Sequence, residues 1–490
     1  MIESNLKQER LIAFFSFLLM NSDDLDDIKS DKPREKCGIF GVFNLENASR
    51  YCYLGLQALQ HRGQEASGIA AVNGKMHVHK DFGLVSQVYK EEDFGHLQGS
   101  MAIGHNRYST SGGSKEHCFI QPIHNKGENL SLVHNGNLPS LTRLKDFLTS
   151  KGISVADSND SSMMYDAINY FVHQGDPLEE AIAKAYPLFT GVFCILVMNK
   201  EKIVAAVDPC GIRPLCIGKL DNGFIISSET CGLDIVGATF LQEVGPGEIV
   251  EISSEGLKTF NLVKGERKID IFEFIYFARP DSNILGKNVY QTRLEMGKTL
   301  AKEYPIKADL VIPVPETGIP GAIGYSMESG IPFQMGLIKN RYIGRTFIMP
   351  DQRLRESRVK MKLNPIPAVI KGKRIIIVDD SIVRGTTTKK LVQMLKKAGA
   401  LEVHIVVTSP PVKYPDYYGI DTPNQKDLIA SYLSVDEIAK VLDADSVNYL
   451  SLKGTIKAIG LPATMFCTAS FTGEYPIDIQ ERKQEILYAV

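Results

Sequence analysis

Residues 374–388, RIIIVDDSIVRGTTT, constrain the fold more than any other stretch: an apolar run, two adjacent acids, a short loop with Gly385, and hydroxyl residues opening a helix. The run reads as a strand buried on both faces, the kind found in parallel sheets flanked by helices. Backbone N–H groups of a loop entering a helix N-terminus converge on one spot, where the helix dipole favours an anion. Arg384, Gly385, Thr386, Thr387 and Thr388 are therefore a candidate phosphate cradle. Gly385 lets the backbone approach closely, and the threonine hydroxyls add donors. Asp379, Asp380 and Ser381 sit where the strand ends. Adjacent carboxylates there suit two ribose hydroxyls and a nearby Mg²⁺, which wants hard oxygen ligands. An isolated acid pair would only cap a sheet edge; the whole run favours a ligand site.

The surrounding sequence alternates strand and helix in the manner of a parallel α/β sheet: ADLVIPVP leads into a Gly-rich helix start, and TTKKLVQMLKKAG is followed by LEVHIVVTS. Residues 374–388 resemble the phosphoribosyl pyrophosphate (PRPP) motif of type I phosphoribosyltransferases, which implies a 5-phosphate in the loop. PVPETGIPG (residues 313–321), at a strand end where open sheets bind ligands, looks like the pyrophosphate loop of that family. The resemblance assigns Thr317, Asp379 and Asp380 to one Mg²⁺ per subunit. Between the loops, residues 339–362 carry eight basic residues against two acids, Asp351 and Glu356. Such a run is commonly a solvated face or an RNA patch. Lying between two phosphate loops, it reads better as a flap in which Lys339, Arg341 and Arg345 neutralise departing pyrophosphate.

At 490 residues the chain is too long for one core, since single cores stop growing at roughly 250–300 residues. From Cys37 onward, CGIFGVFN, MAIGHNRYST, LSLVHNG, VFCILVMN, KIVAAVD and GFIISSE read as strands, with helix-like periodicity over residues 50–60 and 161–173. Sheets covered by helices are expected there. The turn-rich, charged stretch 244–268 marks the boundary. The expected organisation is a leader over 1–36, an α+β domain over 37–268, an α/β domain over 269–470, and a tail of coil and short helix over 471–490.

The segment KCGIFGVF resembles the mature N-terminus of the N-terminal-nucleophile glutamine amidotransferases. In that chemistry the thiol of the first residue attacks the side-chain amide of glutamine, and the free α-amino group of the same residue is the base. Its ordinary pKa, about 7.7 to 8.0, suits that task. Thirty-six residues precede Cys37, so Lys36–Cys37 must be a cleaved bond. Taken alone, Cys37 would be an ordinary buried strand cysteine. LQHRGQEASG, GHNRYSTSG, HNGNL and SNDSS, each weak singly, together match the glutaminase domain of that family, a four-layer sandwich. The match implies that Arg107 holds the substrate carboxylate, Asp160 pairs with its ammonium, Asn135 and the Gly136 N–H donate to the oxyanion, and Arg62 closes over the site.

With both halves in this order, the chain resembles the glutamine phosphoribosylpyrophosphate amidotransferases, over roughly residues 36–476. That resemblance implies glutamine and PRPP as substrates, an internal ammonia channel, homotetramers or dimers, and feedback inhibition by purine nucleotides. One branch of the family holds a [4Fe-4S] cluster on four cysteines. Here those positions read Asp270, Asp416, Thr464 or Cys467, and Ser470, and one thiolate cannot hold a cluster. No iron is expected, although a leader is a feature of the cluster-bearing branch. Other amidotransferases, such as glucosamine-6-phosphate synthase, glutamate synthase and asparagine synthetase, share the first domain but lack VDDSIVRGTT. A silent regulator that binds PRPP or nucleotides is the rival from a different class.

A formal charge of −2 gives no global attraction to nucleic acid or to an anionic membrane surface. The run LIAFFSFLLM is shorter than the ~20 residues a membrane span needs, and the adjoining NSDDLDDIKSDK lacks a small-residue cleavage site. Eight scattered cysteines without a CxxC pair suit reduced thiols in a cytoplasm. Translation could start at Met1 or Met20; the sequence does not choose.

Overall fold

The computed structural model describes residues 37–107, 117–340, 363–419, 422 and 424–485. The expected leader, residues 108–112 of the GHNRYSTSG motif, and Arg341 and Arg345 of the expected flap lie outside the described residues.

The strands of the first half are β1 (Cys37–Phe43), β2 (Ala66–Asn73), β3 (Lys75–Phe82), β4 (Met101–Arg107), β5 (Ser131–Ser140), β6 (Thr190–Met198), β7 (Ile203–Val207), β8 (Cys216–Leu220), β9 (Gly223–Ser227), β10 (Thr239–Glu243), β11 (Glu248–Ser253) and β12 (Gly256–Asn261). They form a seven-stranded sheet, order β10-β8-β9-β1-β4-β2-β3, and a five-stranded sheet, order β12-β11-β7-β6-β5. Alternation of side chains dictates the layering. Ile39 and Phe43 of β1, Ile103 of β4, Val133 of β5 and Leu196 of β6 meet in one apolar cluster between the sheets. Phe40 and Val42 point the other way, onto the helix Ala48–Ala58. Leu132 and Phe193 likewise pack on the helices Asp160–His173 and Leu178–Ala185. The result is a helix–sheet–sheet–helix sandwich. One stretch differs from the sequence reading: much of 244–268, read as turns, is the β11–β12 hairpin. Its outer strand GLKTFN is largely exposed, so its polar face hid the strand signal.

The second half is built on four parallel strands, Leu310–Pro313, Arg374–Asp379, Glu402–Val407 and Ser446–Tyr449, neighbours in that order. Ile376 and Val378 pack against the helices Val289–Glu303 and Ile319–Ser329. Ile375 and Ile377 face the helices Thr386–Lys397 and Val435–Leu442. Both faces are covered, which is why RIIIVD reads as a continuous apolar run. Each Ile or Val so buried contributes about 1.5–3 kcal/mol. The carboxyl ends of Leu310–Pro313 and Arg374–Asp379 are adjacent, Pro313 opposite Val378, so the two phosphate loops predicted from sequence open on the same edge.

Candidate active site

Cys37 begins β1 and lies opposite Arg107 in the register of β1 and β4. By alternation its side chain shares the inter-sheet face with Ile39, and Asn135 on β5 shares that face with Val133. Strands β1 and β5 are in contact across the gap between the sheets that Cys37 and Asn135 face, and Cys37 and Arg107 stand side by side at its edge. Asn135 is buried, and its Nδ2 has no hydrogen-bond partner among the described residues. A buried amide donor left unmet costs about 1–3 kcal/mol, so its retention points to a ligand acceptor. At Gly136 a Cβ would lie 2.0 Å from the Val192 carbonyl oxygen, so no other residue fits beside Asn135.

Asp160 opens the helix Asp160–His173, whose N-cap Asn159 accepts a hydrogen bond from Ser162 N at 2.8 Å. Its Oδ2 accepts from Leu138 N at 3.2 Å, which ties the helix start to β5 just beyond the oxyanion candidates. His134 faces the helix layer, with Nδ1 3.0 Å from Ser161 Oγ. His105 is fully buried, and burial followed by the charge of Arg107 pulls its imidazole down to about 3. It stays neutral at physiological pH and offers no cationic partner for a thiolate. The Cys52, Cys194, Cys216, Cys231 and Cys467 thiols are pushed well above their ordinary range by burial, which leaves them inert at neutral pH.

Arg62 is the residue expected to close over the site. It is buried, with Nε donating to the Cys37 carbonyl at 3.3 Å. Its Nη1 donates to Glu229, and its Nη2 to Glu273 Oε1 at 2.8 Å. Glu273 also accepts from Arg213 at 3.3 Å, and Glu229 from Ser282 Oγ and Arg279 N at 2.6 and 2.9 Å. Sequence reasoning missed both glutamates, because neither stands in a motif of its own. Burial alone would raise the Glu229 carboxyl, but His61 and Arg62 outweigh it and hold it well below its usual range. Its stabilising effect is therefore present above the ordinary carboxylate range and lost only as pH falls toward the depressed value. Replacing Glu229 with alanine leaves Arg62 with one of its two carboxylates, and we expect a loss of about 3–5 kcal/mol, read as a lowered unfolding midpoint.

On the parallel sheet, Thr317 Oγ1 donates to Asp380 Oδ2, and Asp380 Oδ1 accepts from Ser381 Oγ at 2.7 Å. Asp379 Oδ1 accepts from Asp380 N at 2.9 Å. A hydroxyl and a buried carboxylate, drawn from two adjacent strand ends, thus meet at Thr317 and Asp380, hard-oxygen donors of the kind Mg²⁺ takes, with the buried Asp379 next in the chain. Gly385, at φ 78°, takes the left-handed conformation that turns the chain into the helix Thr386–Lys397. Arg384 reaches Asp427 at 3.2 Å. Lys339 ends the strand Leu337–Lys339 with its Nζ 3.9 Å from Glu316 in the other loop. Arg293, unremarked in the sequence, is buried within reach of the Asp380 charge and donates to the Phe274 and Ala278 carbonyls at 2.8 Å each.

The positions that would carry a cluster also converge. Asp270 pairs in register with Cys467, and Asp416 is close enough to both to raise them. Asp270 faces Arg213 at 3.1 Å. One thiol beside a carboxylate held by an arginine does not fit an iron–sulfur cluster.

A glutamine amidotransferase domain model matches residues 105–234, and a phosphoribosyl transferase domain model matches residues 290–421. An amidophosphoribosyltransferase of Synechocystis sp. is 46% identical over 472 residues, covering 94% of this chain and 95% of the relative. That of Bacillus subtilis is 44% identical, covering 91% of this chain and 95% of the relative. Among solved structures, the B. subtilis glutamine PRPP amidotransferase complexed with ADP and GMP superposes with a TM-score of 0.85 at 43% identity, covering 90% of this chain and 98% of that one. A structure described as the allosteric regulatory enzyme of purine biosynthesis gives 0.86 at 43%, covering 92% and 98%.

Proposed function

Because the chain belongs to the amidophosphoribosyltransferase family, we propose that Cys37 attacks glutamine and that the ammonia released displaces pyrophosphate from PRPP, giving 5-phosphoribosylamine. Such an enzyme is a pentosyltransferase with a glutamine amidotransferase domain, at the first step of purine biosynthesis. The observation that carries the site reading is the buried, unmet amide of Asn135, facing the same gap as Cys37.

In this reading Arg107 and Asp160 hold the two charged ends of glutamine, and Sγ of Cys37 adds to the side-chain carbonyl carbon. Negative charge then develops on the carbonyl oxygen, within reach of Asn135 Nδ2 and the Gly136 N–H. The α-amino group of Cys37 takes the thiol proton and returns one to the leaving ammonia; water releases glutamate from the thioester. Ammonia crosses the seam between the halves and forms a C–N bond to C1 of PRPP as the C1–O bond to pyrophosphate breaks. Asp379, Asp380 and Ser381 would bind the ribose hydroxyls, and residues 384–388 the 5-phosphate. Asp379, Asp380 and Thr317 would hold one Mg²⁺, which offsets the charge of the leaving pyrophosphate when bound. Lys339, with Arg341 and Arg345, would close over that pyrophosphate.

The base must be a free amine, so Cys37 works as residue one of a chain cut after Lys36. N-terminal sequencing and intact mass of active enzyme should give a chain starting at Cys37. A preparation still carrying the leader yet fully active with glutamine would sink the mechanism. We further place the domain boundary at residue 268, with a tail from 471, and propose a cytoplasmic homo-oligomer, tetrameric or dimeric, inhibited by purine nucleotides and free of an iron–sulfur cluster.

A further inference from the structure

The strand that carries the oxyanion candidates is held by its ladder only part of the way. β5 pairs with β6 at Gly136 and Asn137, but the register then shifts, and pairing resumes only at Ser140, opposite Thr190. Within the bulge Leu138 N turns from the ladder to Asp160 Oδ2. A strand released from its ladder within two residues of a catalytic N–H needs other anchors, because an error of about 1 Å can cost a factor of about 10².

Residues 473–485 supply them. Tyr475 packs tilted against Tyr417 and edge-on against Tyr418, and its hydroxyl donates to the Pro415 carbonyl at 2.7 Å. Ile479 is buried against Val192, the β6 residue opposite Asn137, and Asn137 Nδ2 donates to the Tyr417 carbonyl at 2.8 Å. Beyond Ile479, Glu481 reaches the far side of the bulge. Its Oε1 accepts from Ser140 Oγ, Leu141 N and Thr142 N at 3.0, 3.1 and 2.9 Å, and from Thr142 Oγ1. These donors belong to the end of β5 and the start of the helix Thr142–Ser150, where an anion is favoured. Burial opposes the charge, but the donors outweigh it and keep the carboxyl below its usual range, so the contact is intact at neutral pH.

We propose that Glu481 is a positioning residue for glutamine chemistry: residues 473–485 strap the bulged end of β5 and so fix the oxyanion donors. The proposal rests on the reading of Asn135 and Gly136 as those donors. Its reach is specific, because Glu481 itself bonds the end of β5 and the start of the next helix, while the expected PRPP loops lie on another sheet.

The test compares Glu481→Ala, Glu481→Gln and Asn135→Ala in the full chain, measuring phosphoribosylamine formation with glutamine and with ammonia. Glu481→Ala should lower kcat with glutamine roughly 10-fold or more, leave KM for glutamine little changed, and spare the ammonia reaction. Glu481→Gln keeps an acceptor oxygen and should restore most of the lost rate. Asn135→Ala should cost about 10²–10³ in the glutamine reaction alone. If Asn135→Ala is harmless, the oxyanion reading fails. If Asn135→Ala is damaging but Glu481→Ala is harmless, or lowers both reactions equally, the strap is overturned and the contact is one of general stability.

Discussion

Replacing Cys37 with alanine is expected to abolish glutamine-dependent phosphoribosylamine formation, by roughly 10⁴-fold or more, while leaving the ammonia-dependent reaction at alkaline pH close to wild type. The size of the loss follows from the chemistry, since without the thiol no thioester forms. The buried thiols described above cannot take over. Cys194, opposite Asn135 in the β5–β6 register, comes nearest by placement, but its Sγ donates to the Arg213 carbonyl at 3.2 Å and burial pushes its pKa up. The sparing of ammonia follows from the fold, because Cys37 lies in the antiparallel sandwich and the PRPP loops on the parallel sheet. Alanine removes one sulfur from a position only 7% exposed, a small change for a core of this size. Rates with glutamine and with ammonia on the same preparation decide it. Loss of both would show that Cys37 supports the fold and not the reaction.

What could be read in the sequence was what is written contiguously. RIIIVDDSIVRGTTT carries strand, acids, loop and helix start within fifteen residues, and CGIFGVF carries a two-residue alternation that matches its two differently packed faces. The β11–β12 hairpin was lost because an edge strand with one wet face looks like a charged loop. The partners of Arg62 were missed for a different reason. An Arg-Gly turn gives no hint that the guanidinium will meet Glu229, 167 residues away, and Glu273, 211 away. Glu481 and Ser140 are 341 residues apart. Such partners are created by tertiary packing, and no local period records them. Glu273 and Glu481 also tie the first half to the rest of the chain. The motifs therefore told what each half does, and the structure was needed to see how Arg62, bonded to the Cys37 carbonyl, is held from the other half.

That division can be tested from the opposite end. Asp380→Asn keeps the shape of the side chain but removes the charge that Thr317, Ser381 and the neighbouring Arg293 all address. We expect both the glutamine- and the ammonia-dependent syntheses to fall on the order of 10³-fold, as befits several kcal/mol of lost charge stabilisation at the leaving group. Hydrolysis of glutamine to glutamate in the absence of PRPP should persist, since Cys37, Arg107 and Asn135 are built on other strands. That persistence also separates a damaged site from a damaged fold. Arg293 keeps its bonds to the Phe274 and Ala278 carbonyls in this variant, so the segment beneath Arg62 retains its anchor. Added Mg²⁺ should not rescue the rate, because an amide oxygen is a weaker ligand than a carboxylate and the ribose hydroxyls lose their acceptor in the same step. If Asp380→Asn makes phosphoribosylamine from ammonia at near wild-type rates, the acid pair is structural and the PRPP site lies elsewhere. Paired with Cys37→Ala, the two substitutions should divide the reaction cleanly: one loses glutamine use and keeps transfer, the other loses transfer and keeps glutamine hydrolysis.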